Sequence, residues 1–297
     1  MNAQAGHLTG AEPLSLAERL TLDAVGPRHW RSRHGEANQN GRSYGGQLLG
    51  QAMQAALLEA PPERPASMMQ FLFLQGAMPD QPIDFKVRPL QEGKRFTSLH
   101  VRGTQGDRTV LDAQVSCALS LPGPEHHTAT TAPAGEQATD WPDLSSLPPG
   151  LLDRVNRMGG YGLDFNDSIA FRIPEPQRQL AEDGVNGPFR YWMKVPHALA
   201  PDARLHTAAF AYLSDWWLNF CALRPHIARA REHAMYISSL NHALWLHRIP
   251  RADEWLHVEA ISVHAGAGRG LAVGNFHDAQ GRHVATATQD CLIAYVD

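Results

Sequence analysis

The sequence predicts an α+β protein made of two tandem repeats, each an antiparallel sheet wrapped around a central helix. Three observations carry this expectation. A helix candidate followed by four strand-like segments occurs twice in the same order, a Pro/Gly/Thr-rich stretch separates the two sets, and the first helix is apolar nearly all round. At 297 residues the chain is comfortable for two units of ordinary size, and 43% hydrophobic with 19% charged residues describes a folded protein.

In the first half "SYGGQLLGQAMQAALLEA" reads as the helix, and "MMQFLFLQ", "IDFKVRPL", "RFTSLHVRGT" and "RTVLDAQVSCALS" as the strands. In the second half "SDWWLNFCALRP" reads as the helix, followed by "YISSLNHALWLH", "EWLHVEAISV", "GRGLAVGNFHD" and "HVATATQDCLIAYV". The last hairpins share a pattern: "TQGDRTVLDA" and "AQGRHVATA" both set Gln-Gly at a turn before an alternating strand. On the first helix Leu48, Leu49, Ala52, Met53, Ala55, Ala56 and Leu57 cover most of the circumference. Gln47, Gln51 and Gln54, at i, i+4 and i+7, form one polar stripe on it. Gly45, Gly46 and Gly50 lack a Cβ and would let this helix approach a sheet closely. These boundaries give an N-terminal unit over 1–120, a linker and surface-wrapping segment over 121–187, and a C-terminal unit over 188–297.

Charge and composition exclude several partners. A net charge of -4 and scattered arginines leave no basic footprint for nucleic acid or an anionic membrane surface. No apolar run approaches the length of a membrane span, and the N-terminus lacks the pattern of a secretory signal, so a cytoplasmic protein is expected. Cys117, Cys221 and Cys291 are odd in number and widely spaced, which fits reduced buried thiols. The 16 histidines lack ligand spacing, so no metal is expected. The glycine-rich "GAGRG" (266–270) reads as a hairpin turn because it does not open a helix, and no G-x-S-x-G is present.

Three polar positions stand out against apolar surroundings. Ser214-Asp215 before "WWLNFCAL" has the form of an N-cap, which places Asp215 at the start of the second helix as either a simple cap or a general base. Phe210, Tyr212, Leu213, Trp216 and Trp217 around it would raise its pKa by desolvation, while a helix N-terminus would hold it ionised. Ser238, Ser239, Asn241 and His242 interrupt a strand that should be apolar, which marks a bulge, cross-strand hydrogen bonds or a site. Gln289 interrupts the final strand and is either solvent-facing or part of the same cluster.

The segments "GGQLLGQAMQAA", "AYLSDWWL", "SSLNHALWLHRIPRADEWL" and "GRGLAVGNFHDAQGRHVATATQDCL", in this order, resemble the acyl-CoA thioesterase II family. The resemblance implies a double hotdog fold and hydrolysis of acyl-CoA to free acid and CoA without metal, cofactor or covalent intermediate. It places the family's catalytic aspartate on Asp215, its hydroxyl residue on Ser239 and its glutamine on Gln289. Asp215 would then deprotonate a water that Ser239 and Gln289 hold, with backbone N–H groups near Gly46 and Gln47 as oxyanion donors. Trp216 or Trp217 would fill part of the acyl tunnel and favour short, branched or aromatic acyl groups. Ser239 departs from the commoner threonine, and Asn241 stands where the family usually has Asp. The alternatives are a hotdog enoyl-CoA hydratase, for which no Tyr-x-Pro-x-His-x-Asp-like string is present, and a non-catalytic acyl-CoA-binding protein. Hotdog sheets have edges that pair, so a homodimer or higher homo-oligomer is expected.

Overall fold

The computed structural model describes residues 14–38, 40–127, 129, 136–151, 168–182, 185 and 187–296. Among the described residues twelve strands form one antiparallel sheet. They are β1 (Leu22–Gly26), β2 (His29–Ser32), β3 (Ala66–Phe73), β4 (Asp84–Glu92), β5 (Phe96–Gln105) and β6 (Arg108–Ala118), then β7 (Ala170–Arg172), β8 (Phe189–Lys194), β9 (Met235–Leu246), β10 (Leu256–Gly266), β11 (Arg269–Asp278) and β12 (His283–Tyr295). Helices among the described residues include α1 (Leu16–Arg19), α2 (Gly45–Glu59), α3 (Pro176–Ala181), α4 (Ala203–Ser214), α5 (Leu218–Leu223) and α6 (Ile227–Glu232).

The strand order is β1-β2-β4-β5-β6-β3-β9-β12-β11-β10-β8-β7, which reads the same from either end once each first-half strand is matched to its second-half counterpart. The repeat seen in the sequence is therefore a repeat of topology, joined at the β3–β9 pair, where Phe71 lies opposite His242 and Gln70 opposite Ala243. That junction satisfies one open edge of each half within a single chain, and the edges left over are the short β1 and β7. Much of the wrapping segment expected after Leu151, including 152–167, lies outside the described residues.

Alternation along the strands decides what faces inward. On β12 Ala285, Ala287, Gln289 and Cys291 are all buried, so Gln289 occupies a core row rather than the solvent face. On β6 the matching row is Ala113, Val115 and Cys117.

Two expectations about the helices change. Gly46 and Gly50 serve a helix–helix approach: a Cβ on Gly50 would sit 3.0 Å from Ala208 O and 3.2 Å from Tyr212 Cβ, and one on Gly46 would meet Tyr212 O, all on α4. Only Gly45 faces a strand, where its Cβ would lie 3.2 Å from the Phe73 ring. The second central helix also begins twelve residues before Asp215, at Ala203, with the Asp202 side chain accepting from Arg204 N as its N-cap. It ends at Ser214, and Asp215 is its C-cap. Trp217 then takes a left-handed conformation (φ 69°), and the helix resumes as α5. The break seats the Trp217 ring among Phe171, Phe189, Tyr191 and Phe220, a core site that a continuous helix would not reach at that position.

Candidate active site

Asp215 sits where two helix ends meet. Its own helix ends there, which disfavours negative charge, but the N-terminus of α2 from the other repeat points at it. Tyr44, the N-cap of α2, gives no side-chain capping bond, and the Gly46 N–H donates to the Asp215 carboxylate. Glycine at position 45 leaves the space for this, since a Cβ there would lie 2.6 Å from Asp215 Oδ2. The helix N-terminus expected beside Asp215 is thus present, but it comes from the first repeat.

Around the carboxylate is a closed set of neutral hydrogen-bonding groups. Gln289 Nε2 lies 2.9 Å from Asp215 Oδ1, 2.9 Å from Asn219 Oδ1 and 2.8 Å from Ser239 Oγ. Asn219 Nδ2 donates to Ser239 Oγ at 2.9 Å, and the Ser239 hydroxyl in turn donates to Asp215. On the far side Gln289 Oε1 lies 2.7 Å from His242 Nδ1, and His242 Nε2 lies 3.0 Å from Ser214 Oγ. His242 is fully buried and burial lowers its pKa to about 4, so it is a neutral imidazole. An ionised Asp215 can only accept, so Gln289 turns its NH₂ toward the carboxylate and its oxygen toward His242, which matches the tautomer with the proton on Nδ1.

Burial raises the Asp215 pKa from 3.8 to about 6, against the opposing hydrogen bonds from Gln289, Gly46 N–H and Ser239. The result is a base that is ionised at neutral pH yet more basic than an exposed carboxylate. A β-bulge makes the arrangement possible. Asp290 pairs with Asn241 while Cys291 pairs with Ser239, so Leu240 is the extra residue on β9. Ser239 and His242 are three apart and would otherwise face opposite sides of the sheet; the bulge turns both toward Gln289.

The site opens onto a cleft of about 530 Å³, within the range of small-molecule sites. Asp215, Asn219, Ser239 and Trp216 line it, with Tyr44, Leu48, Phe73, Ile237 and Leu240 supplying apolar wall. Gln289 does not reach it. The Gln47 side chain also lies elsewhere, with its Oε1 accepting from Glu36 N (2.7 Å) and its Nε2 donating to His34 O (3.1 Å). Of the two tryptophans, Trp216 borders the cleft and stacks obliquely on Tyr44, while Trp217 is a core residue. Among the described residues no cluster of histidine, cysteine or acidic side chains is arranged to hold a metal ion.

Residues 33–118 match the description "Acyl-CoA thioesterase N-terminal domain", and residues 124–293 match "Acyl-CoA thioesterase C-terminal domain". The chain belongs to the acyl-CoA thioesterase family. It is 29% identical over 257 residues to acyl-CoA thioesterase 2 of Haemophilus influenzae, covering 85% of this chain and 87% of that one. It is 25% identical over 300 residues to mouse acyl-coenzyme A thioesterase 8, covering 98% and 93%. Among solved structures it resembles the acyl-CoA thioesterase II TesB2 of Mycobacterium marinum, with a TM-score of 0.76 and 26% identity over 94% of this chain and 98% of that one. A hot dog fold protein of Alicyclobacillus acidocaldarius shares the fold at a TM-score of 0.73 and 18% identity, covering 94% and 98%. The fold is therefore the double hotdog.

Asn219 was not singled out by the sequence reading: it follows Asp215 by four residues in "DWWLN", and the left-handed Trp217 between them, not a continuous helical turn, brings the two together. His242 was visible only as one polar residue among four, and its function as the brace behind Gln289 needed the bulge to be seen.

Proposed function

We propose that the protein hydrolyses acyl-CoA to a free acid and CoA, by direct attack of a water that Asp215 deprotonates. The observation that carries this is a buried carboxylate with a raised pKa on the wall of a cleft, held by neutral donors. The three cysteines are buried free thiols, none lining the cleft, and burial pushes them up to about 11, 12 and 12. Ser214, the hydroxyl beside His242 Nε2, is fully buried and does not line the cleft, and His242 itself does not reach it, so the pair meets neither a thioester nor an enoyl group there.

In this reading Ser239 and Asn219 hold the water against Asp215, and Gln289 orients the pair from behind rather than touching the water. The N-terminal turn of α2 at Gly45–Gln47 is the source of N–H groups for the developing oxyanion. The CoA thiolate, with a pKa near that of cysteine at about 8.5, departs without a strong general acid. Trp216, Tyr44 and Phe73 bound the acyl end and favour short, branched or aromatic groups. Free buried thiols fit a reducing cytoplasm. Leu72 and Trp245, exposed on the outer face of β3 and β9, fit a homo-oligomeric contact, which sedimentation would test.

The experiment is CoA-thiol release from a panel of acyl-CoAs, short to long and including phenylacetyl, by the unmutated protein and by Asp215→Asn. Turnover abolished by Asp215→Asn supports the mechanism. Undiminished turnover in that variant removes Asp215 as the base, and palmitoyl-CoA cleaved in preference to all short chains removes the assignment of the acyl wall.

A further inference from the structure

The cleft holds two arginines that the hydrolytic groups do not use. Arg42, in the loop before α2, and Arg108, at the start of β6, both line it and both are exposed. They converge on Gly76. Arg108 donates through Nη2 to Gly76 O at 3.1 Å and through Nε to Gln75 Oε1 at 3.0 Å. Arg42 lies along the other side of the same glycine, its Cδ and Nε 3.2 and 3.3 Å from where a Cβ on Gly76 would sit. Among the described residues neither is in a salt bridge, whereas Arg31, Arg33 and Arg102 on the same repeat each have an aspartate. Arg42 Nη1 rests 2.7 Å from Met78 Sδ, a thioether that does not neutralise its charge.

Their placement along the cleft matters as much as their charge. Phe73 marks the Asp215 end, because its ring and Asp215 Oδ2 both crowd the Cβ position of Gly45. Gly76 is three residues further along the chain, at most about 10 Å of extended backbone, and both arginine side chains meet it. The cleft therefore runs from a carboxylate with an apolar wall to an unpaired dication, which matches a ligand whose thioester and phosphates are separated by an arm.

Resting on the thioesterase reading, we propose that Arg42 and Arg108 form the anchor for the phosphates of the CoA nucleotide. Two planar guanidinium groups on either side of a residue without a side chain suit a diphosphate or phosphomonoester, which can accept several N–H donors at once. The pair would confer preference for free CoA thioesters over thioesters that lack the nucleotide.

The test compares acyl-CoA with the same acyl group on N-acetylcysteamine, in the unmutated enzyme and in Arg42→Ala, Arg108→Ala and the double variant. CoA binding is measured separately by calorimetry. Loss of hydrogen bonds to charged phosphates should raise KM for acyl-CoA about tenfold per arginine, with kcat little altered. The ratio of kcat/KM between the two thioesters should collapse in the double variant. Added salt should weaken CoA binding to the unmutated enzyme far more than to the double variant. A ratio and a CoA affinity that survive in the double variant overturn the anchor while leaving hydrolysis standing. CoA binding that the double variant loses, in a protein that cleaves neither thioester, sustains the anchor and removes the hydrolase reading instead. Preference for an acyl group on a carrier protein, lost in the double variant while CoA affinity is unchanged, would assign the arginines to a protein partner and overturn the proposal.

Discussion

Asp215→Asn should make the protein more stable at neutral pH, and the gain should disappear in acid. Burial raises the pKa of Asp215 from 3.8 to about 6. A carboxyl group with a raised folded-state pKa holds its proton more tightly in the folded than in the unfolded chain. Its favourable contribution is complete below the unfolded value and is lost as pH rises through about 6. The difference between 3.8 and about 6 corresponds to roughly 3 kcal/mol by which the ionised group burdens the fold at pH 8. Asparagine carries no such burden and can still accept from Gly46 N–H and Gln289. Urea unfolding of both proteins between pH 4 and pH 8 gives the difference in stability at each pH. Titrating groups common to both cancel, including the histidines near the end of the sheet, and any constant packing effect of the substitution shifts all points equally. The expected result is a difference that grows in favour of Asp215→Asn by about 2 to 3 kcal/mol from pH 4 to pH 8. A difference that stays level would mean that the carboxylate is not penalised in the folded protein, and the physical case for its basicity would fail.

The same titration should appear in catalysis: kcat/KM of the unmutated protein falls about tenfold per pH unit below pH 6, and a profile flat down to pH 4 would detach Asp215 from the chemistry. His242→Leu leaves Gln289 Oε1 buried without a donor, which costs about 1–3 kcal/mol of stability, and frees the amide to turn. That variant should lower kcat and move the acid limb above pH 6; an unmoved limb would reduce His242 to a packing residue. Gly45→Ala places a methyl group 2.6 Å from Asp215 Oδ2 and should reduce kcat on the order of 100-fold with far-UV circular dichroism unaltered. Trp216→Ala removes part of the acyl wall and should shift the preferred acyl chain to greater length in the CoA-release panel, and an unaltered preference would place the acyl group elsewhere.

The fold was legible because its evidence is repetitive. Four strand segments after a helix, twice over, with Gln-Gly turns at 105–106 and 280–281, became the mirrored strand order about β3 and β9. The site was legible as suspicion: Asp215, Ser239 and Gln289 were each a polar residue where an apolar one belonged. What sequence could not supply is how they meet. The second helix was read from "SDWWLNF" because a Ser-Asp cap is a strong local signal, yet "RLHTAAFAYLS" before it is a better helix former and Asp202 caps it. Tertiary packing of Trp217 breaks the helix after Ser214, and no local propensity encodes a left-handed tryptophan. The bulge at Leu240 is equally silent, since it depends on the register against β12.

The two repeats have the same plan, but the polar cluster around Gln289 belongs to the second, and the reason can be followed strand by strand. His242 lies opposite Gln289 on β9 and β12; the corresponding pair on β3 and β6 is Met69 opposite Val115, with Cys117 two residues on as Cys291 is from Gln289. All four members of the two pairs are fully buried, so the first repeat fills with hydrocarbon the space that the second fills with a hydrogen-bonded brace. A polar brace in that space is tolerable only if every member is satisfied, and Gln289 is satisfied because Asp215, Asn219, Ser239 and His242 are all present. The first repeat is released from that requirement and supplies what the second lacks: the N-terminus of α2 against the carboxylate, and Arg42 and Arg108 along the cleft. A chain cut between the repeats would separate the Asp215 carboxylate from the helix end whose Gly46 N–H donates to it, so the covalent duplication holds together one candidate site that neither half contains.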